Sequence, residues 1–170
     1  AYEGKGIISG LEALQNIDFP VHFSIIGGES DEFIDYLVHT SFPSNITIDR
    51  MGIKSHSEVL EAMMNHDVYL YPSKHLGEGH NNTINEALMS EMIIISSKAG
   101  FLEEVLNGVA FLLDEVTPSE IKYALEFIHE NQKEAMKKAE LGKEKLIAEF
   151  RSGKLINTLE TVYQGITKFN

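Results

Sequence analysis

Five short apolar runs, each followed by a stretch of helical spacing, constrain this chain more than any other feature. The runs are Val21–Ile26, Ile46–Met51, Val68–Tyr71, Met92–Ser96 and Val109–Leu113. Several are continuously apolar rather than alternating, which predicts strands buried on both faces. Between them, Phe33, Ile34, Leu37 and Val38 fall at helical spacing behind Asp31 and Glu32, acids suited to a helix first turn. Val59, Leu60 and Met63 share one face of a further helix that Ser55 or Ser57 can cap. Ile7, Leu11 and Leu14 begin another. Strand and helix in alternation imply parallel crossovers, hence a Rossmann-like, doubly wound parallel sheet.

Beyond Asp114 the pattern becomes helical only. Pro118–Glu130, the charged stretch to Phe150, and Leu155–Ile166 all read as helix. Leu155, Leu159, Val162 and Ile166 form one stripe, the mark of helices packed by one face. The chain of 170 residues fits one domain, or one half of a two-domain enzyme. It has no cysteine, so neither disulfides nor thiolate metal sites enter the argument. No run approaches the roughly 20 apolar residues of a membrane span. The N-terminus lacks the pattern of a signal peptide, so a cytoplasmic address is expected. A net charge of −12 argues against nucleic acid or an anionic membrane as partner of this chain. A phosphate ligand has to be held locally, by backbone amides and a few lysines.

The segment Gly77–Leu88, GEGHNNTINEAL, lies at a strand-to-helix turn. In open parallel sheets, ligands sit beyond the carboxyl ends of strands. A helix starting near Asn82 or Thr83 points free N–H groups and its positive end there, a place for phosphate. Gly77 and Gly79 allow close approach of a ligand. Glu78 and Glu86 repel phosphate, but a carboxylate accepts two hydrogen bonds from vicinal hydroxyls. The pair can therefore bracket a diphosphate, with ribose on one side and hexose on the other. A purely structural reading is also open: Thr83 and Glu86 fit a capping box. His75, Glu78 and His80 raise a metal site as a minor alternative; His80 can instead meet a phosphate or sugar oxygen.

These residues resemble the E-x7-E region of retaining family-four (group 1) glycosyltransferases, roughly EGFGxxxxEAMAxGxPVI followed by GGxxE. Here stand Glu78-Gly79, Glu86-Ala87-Leu88, Ile93–Ile95 and Ala99-Gly100-Phe101-Leu102-Glu103. Lys5-Gly6, Ile25-Ile26-Gly27-Gly28, Arg50-Met51-Gly52 and Asp67–Ser73 resemble the family's upstream segments in order and spacing. The sequence departs at Asn81, Glu91 and Ile93, where the family has Gly, Gly and Pro.

The resemblance implies the C-terminal, nucleotide-sugar-binding half of a GT-B enzyme, spanning residues 1–170 as one donor-binding domain. It implies a retaining transfer of hexose or N-acetylhexosamine to an acceptor, in glycan, capsule or cell-wall polysaccharide synthesis. Glu86 inherits the ribose and Glu78 the donor hexose. Amides near Asn82, Thr83 and Ile84 face the pyrophosphate, which Lys5 neutralises. Gly27, Gly28, Gly79, Gly100 and Glu103 line the pocket. No cofactor or metal is implied; the substrate is a nucleotide-sugar such as a UDP- or GDP-sugar. The expected partner is an N-terminal acceptor domain outside this chain, with any membrane contact, peripheral to the inner face, made through parts outside it. The chain thus reads as a fragment, inactive alone, with a gap in its sheet between Val21–Ile26 and Val68–Tyr71 that invites self-association. Two rivals stand beside this reading. One is a non-catalytic nucleotide-sugar-binding or partner-docking module of the same fold. The other is a receiver-like domain, which needs an aspartate cluster where only Asp49 and Asp67 are near.

Overall fold

The computed structural model describes residues 3–79 and 81–151. His80 and the stripe from Leu155 to Ile166 therefore lie outside the described residues. A 3-10 turn at Glu3–Lys5 opens the chain, followed by α1 (Ile7–Leu14). Then come β1 (Val21–Ile26), α2 (Asp31–His39), β2 (Ile46–Gly52), α3 (His56–Met64) and β3 (Val68–Tyr71). The second half holds α4 (Asn82–Met89), β4 (Ile93–Ser97), α5 (Leu102–Leu106), β5 (Phe111–Leu113), α6 (Pro118–Glu130) and α7 (Gln132–Arg151). The α/β alternation is as expected. The fifth strand is shorter than its apolar run, because the Val109 amide is still turned back on the Leu106 carbonyl at 3.0 Å.

Local chemistry sets the helix ends. Ser30 caps α2 through the Phe33 amide. Ser55, not Ser57, caps α3, in a reciprocal box with Glu58. Thr117 caps α6, with Pro118 at the first helical position.

Every strand pair among the described residues is parallel. Two ladders form, β1-β2 and β3-β4-β5, and among the described residues none joins β1 to β3. That interruption falls where the sequence reading puts the gap. Helix α1 spans it: Leu11 and Leu14 pack into the core under β1 and β2, and Ala13 into the core beside β4 and β5. His66, just before β3, adds a polar tie from its Nε2 to the Ser24 Oγ of β1 at 2.7 Å.

Strand β4 is buried along its whole length. Alternate side chains of a strand point to opposite faces. Ile94 packs with α4, α5 and Leu146 of α7. Ile93 and Ile95 pack with α6 and with Ala135 and Ala139 of α7. Helices thus cover both faces, which makes the architecture doubly wound and explains why this run reads Met-Ile-Ile-Ile. Helix α7 buries Ala135, Ala139, Gly142 and Leu146, one stripe at helical spacing.

Candidate functional site

The carboxyl end of β3 leads through residues 72–81 into α4. Two long-range contacts shape this connection. At the front, the chain around Lys5 docks on it: the Lys74 amide donates to the Gly4 carbonyl at 2.8 Å. Gly6 is in the left-handed region (φ 65°), and a Cβ there would lie 2.0 Å from the Pro72 carbonyl oxygen. Only glycine fits so close an approach. At the back, the Phe101 amide donates to the Glu78 carbonyl at 3.1 Å. Gly100 (φ 58°) would carry a Cβ 2.0 Å from that same oxygen.

Between these clamps, Glu78 is only 8% exposed. Its Oε1 receives Lys5 Nζ at 2.7 Å and the Ser73 hydroxyl at 2.5 Å. Its Oε2 receives the Tyr71 hydroxyl at 2.9 Å. Burial pushes the Glu78 carboxyl up, but the hydrogen bonds from Lys5, Ser73 and Tyr71 outweigh it and hold it below the usual range. Burial lowers Lys5, and its bonds to Glu78 and Tyr71 reverse that, leaving it above the ordinary lysine value. The two groups are a charged pair, two-thirds or more covered on each side.

Asn81 caps α4. Its Oδ1 accepts from the Thr83 amide and the Thr83 hydroxyl, both at 3.0 Å, while its Nδ2 donates to the Tyr71 hydroxyl at 2.7 Å. This closes one alternative and corrects one expectation. Thr83 and Glu86 do not form a capping box, because Asn81 holds the cap and Glu86 turns to α3, where His56 Nε2 lies 2.9 Å from its Oε1. Nor are all three first-turn amides open to a ligand. The Thr83 amide is taken by the Asn81 side chain and the Ile84 amide by the Asn81 carbonyl. The Ile84 side chain is core, 1% exposed. Asn82 alone of the three keeps an amide without an acceptor among the described residues.

Lys5, Glu78 and Gly100 are thus brought together, and Thr83 joins them through Asn81. Glu86 sits apart, one turn into α4. Gly27 and Gly28 end β1, the Gly27 amide donating to the Gly52 carbonyl at 2.9 Å. Nothing stands within 4 Å of a Cβ built on Gly27, Gly28 or Gly79. Gly77 instead faces the His75 ring. Glu103 is exposed in the first turn of α5, and no hydrogen bond or ion pair joins it to Glu78 among the described residues. Among the described residues, no group of three or more His, Asp or Glu could hold a metal. His75 is itself occupied, its Nδ1 accepting from the Gly77 amide at 3.1 Å.

The sequence reading missed Tyr71, Ser73 and His56. Tyr69, Tyr71 and Ser73 alternate at the end of β3, so strand periodicity was the available signal. Tyr69 donates to the Thr83 hydroxyl at 3.1 Å, and burial pushes its own pKa up to about 12. Chemically, the arrangement offers one ammonium and one helix N-terminus beside two carboxylates eight positions apart. That set suits a ligand that is anionic in one part and polyhydroxylic in others.

A family model described as Glycosyl transferases group 1 matches residues 2–131. No curated protein matches the sequence. Solved structures do match in fold. HepE of Anabaena in complex with UDP-glucose is 15% identical over 95% of this chain and 46% of its own, with TM-score 0.78. Sucrose-phosphate synthase of Thermosynechococcus elongatus is 18% identical over 99% and 44%, TM-score 0.77. The C-terminal domain of the glycosyl transferase group 1 family protein LpcC of Francisella tularensis is 19% identical over 88% and 82%, TM-score 0.71. The chain spans under half the length of the first two and most of the third. The fold is that of the Rossmann-like C-terminal domain of GT-B proteins. No helix is long and apolar enough to cross a membrane, among the described residues.

Proposed function

The chain belongs to the group 1 glycosyl transferases, and from that membership we propose that it is the nucleotide-sugar-binding half of a retaining hexosyl or N-acetylhexosaminyl transferase. The donor is a UDP-sugar by preference over a GDP-sugar, since HepE is similar in fold and is described with UDP and UDP-glucose. One observation carries the reading. Lys5 Nζ and Glu78 Oε1 meet at 2.7 Å beside the capped N-terminus of α4, on which Glu86 follows eight positions after Glu78.

In the proposed mechanism Glu86 accepts the ribose hydroxyls. Glu78 accepts a hexose hydroxyl. The diphosphate lies toward Lys5 and the Asn82 amide. Without donor, Lys5 and Glu78 neutralise each other. With donor, Lys5 shares its charge with the diphosphate, where negative charge grows as the glycosidic bond breaks. An ammonium and a helix N-terminus fixed in advance stabilise that charge without reorganisation. The acceptor is brought by a second domain, and in such an enzyme the new bond forms on the face the diphosphate leaves.

A non-catalytic module of the same fold is the second reading. It is favoured by the engagement of Glu78, whose two oxygens already take three donors from the chain itself. Calorimetric titration against a panel of UDP- and GDP-sugars tests the donor. Turnover by the protein that carries this domain separates the two readings. Binding lost in Glu86→Ala supports the donor site; wild-type chain that binds no nucleotide-sugar overturns it.

A further inference from the structure

We propose that Tyr71 is a positioning residue of the donor site, its hydroxyl holding Lys5, Glu78 and the capping Asn81 in register. The inference rests on the donor-binding reading above, and it concerns a residue to which neither sequence pattern nor resemblance assigns a role.

The geometry is specific. A phenol hydroxyl can donate one hydrogen bond and accept two. Tyr71 uses all three: it donates to Glu78 Oε2 at 2.9 Å, and accepts from Lys5 Nζ at 3.3 Å and Asn81 Nδ2 at 2.7 Å. That single oxygen touches all three groups. Lys5 comes from the 3-10 turn, Glu78 from the loop and Asn81 from the start of α4, and the Tyr71 hydroxyl ties the Lys5–Glu78 pair to the cap of that helix. Tyr71 itself is anchored, at the end of β3, 9% exposed, with its ring in the core that also holds Ile84 and Leu88. Its pKa is raised, chiefly by burial, so the hydroxyl keeps its proton and its donor role at neutral pH.

The role is separable from packing. Phenylalanine keeps the ring and removes only the shared oxygen. Lys5 then loses the bond to the Tyr71 oxygen while keeping Glu78 and the ring beneath it, and Asn81 loses the acceptor that fixes its amide. The Lys5–Glu78 pair and the N-terminus of α4, which are predicted to share the diphosphate, lose their common anchor. Glu86, tied to His56 rather than to Tyr71, does not.

The test is a ligand series on Tyr71→Phe: UMP, UDP and UDP-glucose, by calorimetry. We expect UDP and UDP-glucose to weaken by about fivefold or more, while UMP stays within about twofold. Asn81→Ser keeps a capping oxygen but not the amide donor; it should reproduce the loss for UDP. A uniform loss across the three ligands in both variants would mean general loosening, and would overturn the proposal, as would no loss at all. A second readout needs no donor. The Lys5 ammonium proton exchange, followed by NMR and assigned with Lys5→Gln, should quicken by about threefold or more in Tyr71→Phe. Unchanged exchange overturns the positioning role. If wild-type chain binds none of the nucleotides, the donor reading fails, and the ammonium measurement still decides what Tyr71 does.

Discussion

The backbone of Gly100 rests against the backbone of Glu78, so close that a Cβ on Gly100 would lie 2.0 Å from the Glu78 carbonyl oxygen. The loop after β4 therefore acts as a stop for the loop after β3. Gly100→Ala should break this contact twice, by collision and by forcing a side chain into the left-handed region. The φ cost alone is about 1–2 kcal/mol, so a total loss of at least about 2 kcal/mol is expected. Gly79→Ala is the control, since nothing stands within 4 Å of its Cβ; it should cost under about 1 kcal/mol. Thermal unfolding of the two variants compares them. Equal midpoints would mean that the loops part easily.

The carboxylates should divide the donor between them. Both a free nucleoside diphosphate and its sugar conjugate carry ribose, so Glu86→Ala should weaken both, by about 1.5–3 kcal/mol. Glu78→Gln should weaken UDP-glucose more than UDP. The His56–Glu86 contact is exposed on the histidine side. Exposed pairs are worth under about 1 kcal/mol, so His56→Ala should change UDP affinity by less than about fivefold. Titration with UDP and UDP-glucose reads all three. An equal loss of both ligands in Glu78→Gln would contradict the assignment of the hexose to Glu78.

The Lys5–Glu78 pair should give stability a pH window. Glu78 is held below its ordinary 4.5. The folded state therefore binds its proton more weakly than the unfolded state. Its contribution is present above pH 4.5 and disappears as pH falls through the lowered value. Lys5 is raised above its ordinary 10.5, so its share is complete below 10.5 and is lost as pH climbs beyond it. Glu78→Gln removes the acid limb. Its midpoint should fall less than that of wild type between about pH 6 and pH 3. Parallel curves over that range would show that the pair carries none of the acid sensitivity.

Glu91 is the one described non-glycine residue with positive φ, at 55°, and it stands where the resembled family has glycine. Its side chain takes Lys143 Nζ at 2.6 Å, an exposed tie to α7. Relief of left-handed strain in Glu91→Gly should roughly offset the lost pair and the added chain entropy, leaving stability within about 1 kcal/mol. A β-branched residue is far worse in that region. Glu91→Val should be less stable than Glu91→Gly by about 1–2 kcal/mol. Chemical denaturation measures both; a valine variant as stable as the glycine one would mean the turn is free to change shape.

The periodicity of apolar residues was enough for the strands and most of the helices, because a strand buried on both faces and a helix buried on one each leave a local signature; the short α5 was not among them. Met92–Ser96 and the face Phe33, Ile34, Leu37, Val38 are of that kind. Ser55 was legible as a cap candidate, beside Ser57, for the same reason: a cap bonds within three residues of itself. The candidate carboxylates were legible as well, since Glu78 and Glu86 lie in one short segment with its glycines. What each carboxylate touches was not. Glu78 meets Lys5 across 73 positions, and Glu86 meets His56 across 30. Those pairings depend on where Gly6 lets the first turn dock on Pro72, and on how α3 lies beside α4. Tyr71 read only as a strand residue, because the three partners of its hydroxyl come from three separate segments. Asn81 read as a departure from a glycine pattern; folding makes it the cap of α4, and that cap, rather than the ligand, takes the Thr83 amide. Such roles are set by distances between remote segments, which no local spacing carries.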